Sequence, residues 1–160
     1  MESVKYYSGT DSPINACKKV NVYSKAWQHH KGRNSHHYEH WTDNYDIGTT
    51  CIQMPFKDAV EMICDYMGAA RAYMGDDFSY LKEYEWWKKK KEYCNMHALT
   101  RRYIDIIISN MACDEDQNPY SIFNKNTLYE IYQTLDNNPA WRDIDIISAV
   151  CTRSSIEGGE

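Results

Sequence analysis

Apolar positions recur at steps of three and four along most of this chain, the spacing that lines one face of an α-helix. The first stripe is Ala16, Val20, Tyr23, Trp27 and His30. Ser12-Pro13 stands before it, a capping hydroxyl followed by the residue favoured at a first helical position. A helix is therefore expected from there to about Gly32. Asn34 or Ser35 can cap a short second helix over 36–41, in which positions 36 and 40 share a face. Asp43, Asn44, Asp46 and Gly48 are turn formers and predict a loop. Pro55 opens a long helix to about Tyr73, with Phe56, Val60, Ile63, Met67 and Ala70 as its apolar stripe. A second face of that helix carries Asp58, Glu61, Asp65, Ala69 and Ala72. Small residues at 68, 69, 70 and 72 allow a neighbouring helix to approach closely.

Gly75-Asp76-Asp77 breaks the pattern, and Asp77 or Ser79 caps a helix through about Tyr93. The next helix covers about 99–111, with Leu99, Tyr103, Ile104, Ile107, Ile108 and Met111 inward. A polar loop follows over 111–124. Thr127-x-x-Glu130 has the form of a capping box and predicts a helix to about Leu135. Asn138-Pro139 is expected to open the last helix, to about Val150, with a flexible tail over 151–160. Clustered β-branched residues at 104–108 and 144–147 raise a strand as the competing reading, but element length and flanking caps favour helix. The expected architecture is all-α, a compact bundle of about six to seven helices. It forms a single domain over 1–160, with a core at about 12–111 and a helical C-terminal extension over 112–150.

Composition narrows the function classes. A chain of 160 residues fits one domain and can bury a core without disulfide staples. The net charge of −5 disfavours a general nucleic-acid binder, which would carry a basic stripe. The longest apolar runs fall far short of the ~20 residues a membrane span requires, and the start MESVKYY lacks a basic-then-apolar leader. The cysteines at 17, 51, 64, 94, 113 and 151 form no C-x-x-C pair, so reduced thiols in a cytoplasmic protein are expected. Fourteen tyrosines imply an aromatic-rich core, and Trp41, Trp86 and Trp87 are expected to belong to it. The lysines at 88–91 read as a solvated helix face.

Five of the six histidines fall between positions 29 and 40. Neutral imidazole is a common ligand for transition metals, and carboxylates complete such sites. His30 ends the first apolar stripe and is expected to point inward, with the helix bearing His36, His37 and His40 closing over it. Asp65 lies mid-helix between an apolar turn and a turn of alanines. A carboxylate buried there needs a partner or a metal, and facing His30 and His37 it would complete a carboxylate–imidazole site. Glu39 can be a ligand, a general base or an orienting partner. His29 is expected to be exposed or to support a ligand from behind rather than to bind metal itself, and His97 to pack locally at a helix start. No serine or cysteine has the context of a catalytic nucleophile.

These motifs resemble a family of small, uncharacterised bacterial and phage proteins, the domain-of-unknown-function family numbered 5662. Its pattern is a His doublet, then Asn, then His-His-x-Glu-aromatic-Trp, matched by His29-His30, Asn34 and the run His36-His37-Tyr38-Glu39-His40-Trp41. It continues with Met54-Pro55, then Glu61-Met62-Ile63-Cys64-Asp65-Tyr66, Trp86-Trp87 and His97-Ala98-Leu99-Thr100-Arg101. A looser similarity, carried by Trp27-x-x-His30 and Cys64-Asp65-Tyr66, reaches the later half of HD-type metal phosphohydrolases. This implies an HD-like core holding a divalent metal ion (Zn, Mn, Fe or Ni) and a small phosphorylated substrate. His30, His37 and Asp65 would be metal ligands with His40 as a further one, and Glu39 and His36 would be catalytic. Fuller family members carry a His-Asp-x-Ser-Lys segment that is absent from this sequence. The resemblance thus implies either a truncated remnant or a site that works without that pair. The rival expectation is a non-catalytic phage or mobile-element accessory protein acting through a protein partner or as a homodimer.

Overall fold

The computed structural model describes residues 13–46, 48–113 and 122–157. The described residues hold seven α-helices, three short 3-10 turns and one small hairpin. The helices are α1 (Pro13–Asn21), α2 (Lys25–Arg33), α3 (Phe56–Met74), α4 (Tyr80–Lys90), α5 (Ala98–Cys113), α6 (Lys125–Asn137) and α7 (Asp143–Glu157). The all-α expectation holds apart from β1 (Thr42–Tyr45) and β2 (Gly48–Cys51).

The first predicted helix is two helices. Val22 turns into the left-handed region at φ 69°, after its N–H closes α1 on the Lys18 carbonyl. Ser24 then caps α2, its hydroxyl accepting the Trp27 N–H at 3.1 Å. The periodic stripe misled because Val20 and Tyr23 are exposed, and α2 has no buried residue. The expected Ser12 cap lies outside the described residues. The predicted helix over 36–41 is a 3-10 turn, Tyr38–Trp41. The predicted loop after it pairs antiparallel, with Thr42 opposite Cys51 and Tyr45 opposite Gly48. Gly48, at φ 121°, supplies a conformation that side chains resist.

From Pro55 onward the predicted helices are present. Ala59, Met62, Ile63, Met67 and Ala70 bury one face of α3, and Gly75 ends it at φ 55°. Ser79 caps α4, accepting from Lys82 N–H. Both β-branched clusters are helical, in α5 and α7. Asn124, not Thr127, caps α6: the Thr127 N–H donates to Asn124 Oδ1 at 3.0 Å, one turn before the expected box. Asn138 closes α6 rather than opening α7, because its backbone and side-chain N–H groups both donate to carbonyls of the last turn. α7 begins at Asp143 and continues through Glu157, past the expected end.

One apolar cluster joins α3 to α7. Trp87, Tyr103, Ile104, Ile107, Ile108 and Met111 lie at its heart. Leu128, Ile131, Leu135, Ile146 and Val150 belong to the same cluster. Buried polar groups are satisfied across elements: Trp87 Nε1 donates to Asp105 Oδ1 at 3.0 Å, and Tyr103 OH to the Leu128 carbonyl at 3.0 Å. The Met54 N–H donates to Thr100 Oγ1, and Tyr132 OH to the Met54 carbonyl, which fixes the entry to α3 on the core. Trp87 is fully buried and Trp41 packs against the core, whereas Trp86 is 42% exposed, contrary to the expectation for it. No helix among the described residues is long and apolar enough to cross a membrane. No disulfide is formed among the described residues.

Candidate metal centre

The end of α2 and the chain that turns back from it bring three histidines together. His37 is fixed by its N–H on the Asn34 carbonyl at 3.1 Å, and His40 N–H on the His37 carbonyl begins the 3-10 turn. Trp41 Nε1 donates to the Ser35 carbonyl at 2.6 Å, locking the return. One nitrogen each of His30, His36 and His37 lie within 4.8 Å of one another. Ring centroids of His30 and His36 stand 4.7 and 4.4 Å from that of His37.

Each ring has a different environment. His37 is buried, edge-on to Trp27 at 5.0 Å, and its Nε2 has no hydrogen-bond partner. Burial, then the neighbouring His36 and His30, lowers its pKa, while Asp65 and Glu39 oppose the shift. His36 is half-buried, with Nδ1 3.1 Å from Glu61 Oε1 on α3. A carboxylate on one imidazole nitrogen orients the ring and leaves the other nitrogen for a ligand. His30 is exposed rather than inward, because α2 presents no buried face. Its Nδ1 lies 3.1 Å from Asn34 Nδ2. When Nδ1 accepts from that amide, the proton of the neutral ring sits on Nε2. A metal at His30 must displace either that proton or the amide.

The other expected site residues lie around this group. His40 is exposed and turned away, its Nδ1 3.3 Å from the Gly32 carbonyl, because a 3-10 turn does not stack it over His36. Asp65, expected to be buried, is exposed on α3 and stands outside the triad. Glu39 has Lys31 Nζ at 4.0 Å. His29 is exposed, the first of the two expectations for it. His97 caps α5 locally, accepting the Leu99 N–H at Nδ1. Sequence patterning alone gives Glu61 no role, although it shares a face with Asp65 one turn earlier, the face that meets the histidines.

A cavity of about 470 Å³ adjoins the triad through His37, with Trp27, Glu39, Asp65, Tyr66 and Glu83 among its lining residues. Glu83, also without an assigned role, is buried, and burial raises its pKa to about 7. Its signal was positional: it falls between Tyr80 and Trp87 on the inner face of α4.

A polar triad carried between a helix end and a 3-10 turn, on an all-α core, defines a small helical protein with a possible metal site. The family of unknown function DUF5662 matches residues 2–110, and the chain belongs to it. No curated protein and no solved structure matches the chain significantly.

Proposed function

We propose that His30, His36 and His37 bind one divalent transition-metal ion, and that the centre serves hydrolysis of a small phosphate ester, as in the HD-like reading. The observation that carries the proposal is His37 Nε2, a buried nitrogen with no partner beside two further imidazoles. Buried polar atoms are nearly always paired, so an orphan calls for an explanation. Three histidines with an open position form the usual donor set of a catalytic zinc site. A zinc–nitrogen bond of about 2.0–2.1 Å sets nitrogens about 3.4 Å apart on a tetrahedron, so the triad has to draw in slightly on binding. Bound metal would lower the pKa of a coordinated water and polarise a phosphoryl oxygen. Glu61 holds the His36 ring in place, and Glu39, which lines the cavity beside the triad, would accept a proton.

Elemental analysis of untagged protein tests the site. Zn, Mn, Fe or Ni is expected in near-stoichiometric amount, and His37→Ala should remove it. Loaded protein should hydrolyse p-nitrophenyl phosphate, and the metal-free variant should not. Metal-free protein whose melting temperature is unmoved by any of the four ions would end the metal reading. Metal without hydrolysis would end the catalytic one.

A further inference from the structure

The cavity beside the triad has a chemistry of its own. Its walls are aromatic: Trp27, Tyr38, Tyr66, Tyr73 and Trp86 all line it. Its volume lies within the roughly 300–1,000 Å³ of small-molecule sites. Three carboxylates, of Glu39, Asp65 and Glu83, face two ammonium groups, of Lys18 and Lys90, in the lining. The walls already receive an alkylammonium, since Lys18 Nζ stands 4.5 Å from the centroid of the Trp27 ring. A cation over an aromatic face is attracted by the ring quadrupole, more strongly where water is excluded.

Glu83 is the decisive group. It is 4% exposed, yet its side chain makes no hydrogen bond or ion pair among the described residues. A carboxyl so placed is costly to ionise unless a donor or cation meets it. Asp65, at the exposed end of the cavity, has no ion-pair partner among the described residues either.

We infer that this cavity binds a small organic cation, a protonated amine whose charge is met by Glu83 inside and Asp65 at the rim, against the aromatic walls. An ammonium supplies the donors Glu83 lacks, and an attached flat or aliphatic body fills the apolar remainder. The inference does not depend on the metal, and EDTA in every titration keeps the two readings separate.

The test is calorimetric titration at about pH 8, where Glu83 is largely ionised. The probes are phenethylamine, its neutral isostere 2-phenylethanol, and phenyl phosphate. Phenethylamine is expected to bind at least about tenfold tighter than the alcohol. Glu83→Gln should abolish that preference. Asp65→Asn, at an exposed position that leaves folding intact, should weaken the amine about threefold with little change for the alcohol. Equal affinity for amine and alcohol, no binding of the amine, or tighter binding of phenyl phosphate would overturn the assignment. Unchanged amine affinity in Asp65→Asn would do so too, even if Glu83→Gln failed to fold.

Discussion

Glu83 shares the inner face of α4 with Tyr80 and Trp87, and its pKa is raised to about 7 by burial. The folded chain then holds this proton over a range in which the unfolded chain has released it. Stability is therefore fully present below about pH 4.5 and falls as pH rises through 7. The span amounts to on the order of 3 kcal/mol. Glu83→Gln should remove it, so that the variant melts higher than the parent at about pH 8 and no higher at about pH 5. Buried His37 pulls the other way, since its lowered pKa favours folding as the imidazole loses its proton. The difference between variant and parent isolates Glu83, and parallel melting curves across that range would refute the argument. At this scale the sequence was partly legible. The histidine cluster marked the right segment, but which rings converge depends on a turn and on Glu61, 25 positions away from His36 in the chain. Periodicity places a residue on a face. It does not say whether that face meets a core, which is why His30 and Asp65 are exposed.

Among the elements, the junction of α1 and α2 carries visible strain. Val22 holds φ 69° with a β-branched side chain that is 92% exposed. That conformation costs of order 1–3 kcal/mol for such a residue, and the exposed side chain returns little packing. Val22→Gly should raise the unfolding free energy by about 1 kcal/mol, seen as a higher midpoint in urea. An unchanged or lowered midpoint would mean that α1 and α2 do not depend on this turn. The break was hidden in the sequence because Ala16 to His30 keeps step through it. The hairpin was hidden for a related reason: Asp43, Asn44 and Gly48 are poor strand formers. Their pairing continues one rung beyond Thr42 and Cys51, where the Ile52 N–H donates to the Trp41 carbonyl. From Phe56 onward, amphipathic faces bury most of what they promise, Trp86 excepted, and the helices up to Asn137 are read correctly to within a turn, while the last runs about two turns past its expected end.

In the whole molecule, the family match ends at residue 110 while the apolar cluster does not. Tyr103, Ile107 and Met111 of α5 share one cluster with Leu128, Ile131 and Leu135 of α6 and with Ile146 and Val150 of α7. The seam is also tied by polar contacts. Arg102 donates to the carbonyls of Pro139 and Trp141 and to Asp143 Oδ1, while Tyr132 OH reaches back to Met54. A polar loop separates positions 112–150 from 12–111, and by sequence alone they read as an extension on that core. Loop composition reports where the chain is solvated, not whether the helices beyond it share a core. Removing everything after Cys113 should therefore expose much of the inner face of α5 and leave Tyr103 OH without its acceptor. Each large apolar side chain uncovered forfeits about 1.5–3 kcal/mol, and a few of these exceed the whole stability of a typical domain, about 5–15 kcal/mol. The truncated chain is expected to lose its cooperative thermal transition, whereas the full chain should unfold with far-ultraviolet circular dichroism and tryptophan fluorescence in step. A truncated chain that melts cooperatively near the parent temperature would show that α3 to α5 suffice, with α6 and α7 attached to a finished core.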